Sequence, residues 1–256
     1  MPTLLDEREN LVSTAWLEQR LDAPDIVILD ASYYLPDAGR DGREEYDEQR
    51  IPGAVFFDID EISDDASALP HTMPPAEKFS SRMRKMGIGD GMRVVVYDGA
   101  GLFSAARVWW MFRTFGHTDV AILDGGFPKW LAEDRPVEDG PPMPRQPRHM
   151  SARYSASSVR DKQDIHSAIS TGSAQIADAR SPARFSAQEP EPRPGMRGGH
   201  MPGACNVHYK TLLNDDGTVK STQAIAQVFE DAGIDLAKPV ITSCGSGVTA
   251  AILTLG

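Results

Sequence analysis

Cys244 stands in the stretch 239–250, P-V-I-T-S-C-G-S-G-V-T-A, and its neighbours give it chemical potential. Val240 and Ile241 read as a strand running into the cysteine. Gly245, Ser246 and Gly247 are small, and residues 248–253 read as the first turns of a helix. A strand, a glycine-bearing loop and a helix can aim backbone N–H groups and the positive end of a helix dipole at one sulfur. Such a setting favours the thiolate, the nucleophilic form of cysteine. The competing reading is an inert cysteine closing a core strand, since free cysteine is among the most buried residue types. Phosphatase chemistry is disfavoured: it would need an arginine six positions after the cysteine to clamp phosphate, and that position is Ala250.

Charge narrows the partner. The chain carries 26 Lys and Arg against 37 Asp and Glu, a net charge of −11, with no basic run. Nucleic acid and anionic membrane surfaces are therefore not expected as partners. A small anionic substrate would need local cations, so arginines near Cys244 become informative. The two cysteines, Cys205 and Cys244, make no disulfide framework, and no CxxC or HxxxH occurs. No metal, no cofactor and a reducing cytoplasm are the expectation. Residues 1–10 are polar and acidic, so no secretory signal is read there. No apolar segment reaches membrane-spanning length.

The elements that must position Cys244 alternate. Ser13 reads as the N-cap of a helix bearing Trp16, Leu17 and Leu21 and ended by Pro24. Residues 26–29 are a continuous apolar run closed by Asp30, the pattern of a strand buried on both faces. Strands follow at 55–57, 93–98 and 120–124, with helices at 75–86 and 102–115. This alternation predicts a parallel α/β sheet. Five prolines between positions 136 and 147 then mark a semi-rigid linker.

After the linker the grammar repeats. A helix is expected at 159–169, a strand at 175–178 and a helix at 222–232. His200-Met201-Pro202-Gly203-Ala204 echoes Arg50-Ile51-Pro52-Gly53-Ala54 at an offset of 150, and 240–244 echoes 94–98 at an offset of 146. Two copies of one domain follow, 1–140 and 151–256, joined by a linker at 141–150. They differ at the decisive position, where Asp98 stands in place of Cys244. The second copy reaches 12 residues past Cys244, with nothing matching 120–124 or Trp130. We therefore expect it to be incomplete, with an exposed apolar sheet edge and lowered stability unless a partner covers it.

The Cys244-Gly245-Ser246-Gly247-Val248-Thr249 loop, the two P-G-A turns, Phe56-Phe57-Asp58-Ile59-Asp60 and the run from Arg184-Phe185 to Glu191-Pro192-Arg193 resemble the tandem-domain rhodanese family. The cysteine loop resembles its 3-mercaptopyruvate sulfurtransferase branch in particular. The resemblance covers nearly the whole chain and fails at the C-terminus, where the family continues for a further strand and helix. It implies two rhodanese-like α/β domains, each a parallel sheet flanked by helices, the second truncated. It implies transfer of sulfur from 3-mercaptopyruvate through a Cys244 persulfide to a thiol acceptor such as thioredoxin, or to cyanide, with release of pyruvate.

The same resemblance implies the site. Cys244 would be the nucleophile, Ser246 a proton relay, His71 its base and Asp60 the group that orients His71, the last two donated by the first domain. Arg184 and Arg193 would bind the carboxylate and keto oxygens, and Gly245, Gly247, Val248 and Thr249 would complete the substrate-binding loop. Local readings stay open beside these. The arginines pair with Glu189 and Glu191 in solvent, Ser246 is a helix N-cap, or His71 is a solvated loop histidine. The neutral Gly245-Ser246 pair favours singly charged 3-mercaptopyruvate over dianionic thiosulfate, the donor of an ordinary rhodanese. His200, Cys205 and Trp109-Trp110 read as structural. A non-catalytic tandem rhodanese module for binding or regulation is the alternative from another class, motivated by the missing C-terminal element.

Overall fold

In the computed structural model, which describes residues 10–193 and 195–256, the apolar runs form two parallel sheets. The reading that no secretory signal is present falls on residues that lie mostly outside that range. The first half of the chain forms β1 (Leu11–Val12), α1 (Thr14–Glu18), β2 (Ile26–Asp30), α2 (Gly42–Glu48), β3 (Val55–Phe56), α3 (Ala76–Lys85), β4 (Arg93–Tyr97), α4 (Ala105–Thr114), β5 (Val120–Leu123) and α5 (Gly126–Ala132). The second half forms α6 (Lys162–Thr171), β6 (Gln175–Asp178), α7 (Pro182–Phe185), β7 (Cys205–Asn206), α8 (Thr222–Asp231), β8 (Val240–Ser243) and α9 (Ala250–Leu255).

The first sheet has the order β1-β5-β4-β2-β3 and the second β7-β6-β8, every pair parallel. The second sheet thus repeats the β3-β2-β4 portion of the first. Among the described residues it has no counterpart of β5 or β1, and β8 is an edge strand. Beside β8 runs a broad groove of about 1030 Å³, floored by apolar side chains that include Ile165, Ile225, Phe229 and Ile241. No helix among the described residues is long and apolar enough to cross a membrane.

Local chemistry sets where the helices begin. Ser13 accepts the Trp16 N–H, so α1 starts where the cap predicts, although it ends at Glu18, well before Pro24. The helix expected from 159 begins instead at Lys162, because Asp161 and Asp164 form a reciprocal capping box. The helix expected from 102 begins at Ala105, because the Asp98 carboxylate holds the preceding residues in a loop. Arg50, in the first P-G-A turn, is 1% exposed and ties that turn to the chain entering the linker, donating to the Glu138 carboxylate and to the Gly140 carbonyl.

Both faces of the first sheet are covered by apolar clusters, as its unbroken Val/Ile strands require. The two halves share one of these clusters. Ala251 and Ile252 of α9 are buried with Val108, Met111 and Phe112 of α4. Each large aliphatic side chain so buried contributes roughly 1.5–3 kcal/mol. The helix that follows Cys244 is therefore anchored on the first half of the molecule.

Candidate active site

Cys244 follows β8 directly, so the sheet delivers its side chain to the carboxyl edge, where open α/β sheets bind ligands. Gly247 has φ +76°, a left-handed conformation that glycine adopts without a Cβ clash. The turn it makes returns the Gly247 N–H to within 3.1 Å of Cys244 Sγ. The thiol is half-buried and opens on a cavity of about 270 Å³. Gly245, Ser246, Val248 and Thr249 line this cavity, as do Arg184 and Arg193, whereas Gly247 stands behind the sulfur.

Arg184 lies on α7, whose N-cap Ser181 accepts its backbone N–H. Its Nη2 donates to Glu191 at 2.5 Å. Glu191 also accepts from Arg180 at 2.7 Å, and Arg180 grips the buried Asp178 carboxylate at the end of β6. Burial pushes the Glu191 carboxyl up, but Arg184 and Arg180 outweigh it and hold the group below its ordinary value. The Arg184 guanidinium faces the cysteine loop closely: a side chain at position 245 would meet its Nη2 at 3.1 Å. Arg193 donates to the Tyr33 hydroxyl at 3.1 Å, across from the first half. Pairing with solvent-exposed glutamates thus describes neither arginine fully. Arg184 does bind Glu191, in a half-buried network, and Arg193 binds a tyrosine.

Ser246 is not the cap of α9. That position is Thr249, which makes no side-chain capping bond. The Ser246 hydroxyl instead lies 3.0 Å from His71 Nδ1, and His71 Nε2 lies 2.8 Å from Asp60 Oδ1. One tautomer satisfies both contacts: Nε2–H donates to Asp60 while Nδ1 accepts from the serine hydroxyl. His71 is no solvated loop histidine. It is 4% exposed, its ring meets the Tyr33 ring edge-on at 4.9 Å, and its backbone is left-handed at φ +56°. Such a conformation costs a non-glycine residue ~1–3 kcal/mol and persists only where surroundings impose it. Asp60 is set by an Asp58 turn, whose carboxylate accepts the Asp60 and Glu61 N–H groups. The bond from His71 holds the Asp60 carboxyl below its ordinary value, with burial opposing and Arg193 assisting.

One residue near this site escapes sequence reasoning. Arg107 of α4 is 3% exposed and reaches the back of the cysteine loop, donating to the Gly247 carbonyl at 3.4 Å and to the His71 carbonyl. The only signal for it in the sequence is a cation among the apolar residues of the first turn of that helix. His200 stacks on Phe185 at 3.8 Å, and Cys205 belongs to the second-half core, as their structural readings expect. Among the described residues no group of His, Cys, Asp and Glu could hold a metal ion. The arrangement can seat a small carboxylate beside a thiol and move a proton along Ser246 and His71.

Paired parallel sheets of one strand order, with a glycine-bearing loop at the same strand end of each, define a class. Residues 13–133 and 161–255 match the model of the rhodanese-like domain, and the chain belongs to that family. The chain is similar to the human 3-mercaptopyruvate sulfurtransferase, 42% identical over 96% of this chain and 84% of that one. It is similar to the rat thiosulfate sulfurtransferase, 38% identical over the same shares. In structure it is similar to SseA, the 3-mercaptopyruvate sulfotransferase of Escherichia coli, with a TM-score of 0.88 and 40% identity, over 96% of this chain and 92% of that one.

Proposed function

We propose that the protein is a 3-mercaptopyruvate sulfurtransferase working through a persulfide on Cys244. The observation that carries this reading is the meeting of Cys244, two cavity-lining arginines and the Ser246–His71–Asp60 chain at one strand end. The Cys244 thiolate attacks the sulfur of 3-mercaptopyruvate. The carbon–sulfur bond breaks and its electron pair stays on carbon, so cysteine is oxidised to the persulfide and the organic product leaves as the pyruvate enolate. Ser246, in contact with His71, delivers the proton that completes pyruvate. A thiolate acceptor, such as that of thioredoxin, then attacks the outer sulfur and regenerates the Cys244 thiolate; cyanide would serve in its place.

Residues around the cavity support each half-reaction. Arg184 and Arg193 suit the substrate carboxylate and keto oxygen, because a guanidinium fork matches a carboxylate. Gly245 and Ser246 put no cation beside the sulfur, which favours the singly charged donor. Gly247 turns its N–H toward the sulfur, where negative charge develops, and Gly245, Val248 and Thr249 complete the substrate-binding loop around it. On this reading the two copies form a tandem repeat in which the first supplies His71 and Asp60 to the second. The two free cysteines fit a reducing compartment such as the cytoplasm.

The test is pyruvate release from 3-mercaptopyruvate, with mass analysis of the Cys244 peptide after exposure to donor without acceptor. Wild type should release pyruvate and gain one sulfur on that peptide. Cys244→Ser should lose at least about 10³-fold in rate, as loss of a nucleophile does elsewhere. No added sulfur would refute the reading, and a higher kcat/KM with thiosulfate would reassign the donor.

A further inference from the structure

Arg107 is a buried cation with an unusual set of partners. Its Nη1 donates to the Gly247 carbonyl and its Nη2 to the His71 carbonyl and, at 3.5 Å, to Met73 Sδ. It lies against the Trp110 ring at 4.9 Å. Its Nε is buried with no hydrogen-bond partner. No carboxylate lies within ion-pair distance of it among the described residues. A charge buried without a counter-charge is expensive, on the order of several kcal/mol, so one should be looked for. Its neighbours on the far side of Gly247 supply it. The Gly247 carbonyl meets Arg107 while the Gly247 N–H meets Cys244 Sγ at 3.1 Å.

We infer that Arg107 is a positioning residue for the sulfur-transfer site: the first half of the chain lends the cation that balances the Cys244 thiolate and locks two left-handed backbone positions around it. Both carbonyls it holds belong to left-handed residues, His71 at φ +56° and Gly247 at φ +76°. One of those residues carries the imidazole to Ser246 and the other carries the N–H to Cys244. A single guanidinium therefore sets the proton relay and the thiol loop relative to each other. Position 247 must also be glycine for this, since a Cβ there would stand 2.7 Å from Arg107 Nη1. Burial pushes the Arg107 guanidinium down to about 10, and the Cys244 sulfur acts in the opposite direction.

The inference rests on Cys244 being the sulfur carrier, so its test includes a readout that needs no turnover. The rate of alkylation of Cys244 by iodoacetamide is measured against pH in wild type, Arg107→Met and Arg107→Lys, alongside steady-state kinetics with 3-mercaptopyruvate. The other charges around the loop, Arg184, Arg193, Glu191, the His71–Asp60 pair, and His208 and Lys210 on the cavity wall, are unchanged in all three. In Arg107→Met the alkylation midpoint should rise by about one pH unit or more, and kcat should fall at least about tenfold with KM nearly kept. Arg107→Lys should restore most of the midpoint but less of kcat, having the charge without the fork.

Should Arg107→Met not fold, thermal stability of wild type and Cys244→Ser is compared from pH 6 to 9. The stability lost in Cys244→Ser should grow with pH, as the thiolate that balances Arg107 forms in wild type alone. An unshifted alkylation midpoint in folded Arg107→Met, or a Cys244→Ser penalty that does not vary with pH, overturns the inference. Either result leaves the proposed reaction standing if sulfur still loads on Cys244. A chain whose Cys244 alkylates as expected but never loads sulfur would fail the reaction and not the role of Arg107.

Discussion

At the carboxyl end of β4 a loop closes on its own side chain, while at the carboxyl end of β8 the equivalent loop leaves its side chain open. Asp98 is 1% exposed, and its carboxylate accepts four backbone N–H groups, from Ala100 at 2.9 Å and from Phe103, Ser104 and Ala105 at 2.8 Å each. Cys244 accepts the Gly247 N–H and faces a cavity. Asp98 fills an anion-binding loop with its own carboxylate, and the Cys244 loop stands at the equivalent strand end. Counting bonds from Cβ, a carboxylate oxygen of Asp98 sits where the outer sulfur of a Cys244 persulfide would. The three amides on Asp98 Oδ2 correspond to those of Thr249, Ala250 and Ala251, of which Ala251 is already bonded to Val248. The first loop holds permanently the kind of charge that the second is proposed to carry for part of a cycle.

The surroundings differ in the same sense. In the first half Tyr34 and Arg40 both bind Glu45, Arg40 also donates to the Gly99 carbonyl at 3.2 Å, and a side chain at 99 would collide with the Tyr34 hydroxyl. The space in front of that loop is filled. In the second half the group across the equivalent Gly245 is Arg184, at the wall of an open cavity. Asp98→Ala should therefore give the largest effect on stability, because it strands four largely buried donors at once. We expect a loss of about 3–5 kcal/mol by chemical denaturation. Combining Asp98→Cys with Cys244→Ser should not restore pyruvate release, since a thiol there faces no cavity. Turnover by that double variant would show that the loop alone suffices.

How much of this was legible follows from what each feature depends on. The alternating apolar runs and the repeat depend on local sequence, and β7-β6-β8 duly copies β3-β2-β4. The cysteine loop was legible because small residues between strand and helix have few other uses. The Ser246–His71–Asp60 chain was reachable only through family resemblance, since Ser246 and His71 stand 175 positions apart. Nothing local marks His71 as left-handed and buried. Arg50 and Arg107 were passed over for a related reason. Each buries its charge against partners that only the folded chain assembles, Arg50 against the Glu138 carboxylate and carbonyls and Arg107 against carbonyls 36 and 140 positions away.

A middle-sized effect separates the two cavity arginines from the thiol. Arg184→Ala and Arg193→Ala should each raise KM for 3-mercaptopyruvate roughly 10- to 100-fold, the worth of a charge-assisted hydrogen bond of about 1.5–3 kcal/mol. The change in kcat should be smaller, because among the described residues neither arginine hydrogen-bonds Cys244, Ser246 or His71. Arg184→Ala leaves Glu191 still paired with Arg180, so the network survives. Steady-state kinetics decides the matter, and a fall in kcat at unchanged KM would move these residues from binding to the chemical step.

The smallest effect tests the strand-end aspartates, which also contrast. Asp178, at the end of β6, is gripped by Arg180 through a salt bridge of 2.6 Å. Asp30, at the end of β2, is also buried but has no cation paired with it among the described residues. It accepts the Ser32 N–H at 2.9 Å, and burial lifts its carboxyl to about 6, partly offset by hydrogen bonds from Ser32 and Tyr97. A carboxyl raised in the folded state binds its proton more tightly there than in the unfolded chain. Its contribution to stability is therefore fullest below about pH 4 and declines as pH rises to about 6, staying level above. Asp30→Asn removes the buried charge, so the variant should gain stability relative to wild type as pH rises from 4 to 6.5 and hold that gain above. Asp178→Asn should have the opposite sign at neutral pH, because it deprives Arg180 of its main counter-charge. Denaturation curves at pH 4 and 7.5 read both, and an Asp30→Asn variant that gains nothing between them would mean that the Asp30 carboxylate is satisfied in a way its surroundings do not indicate.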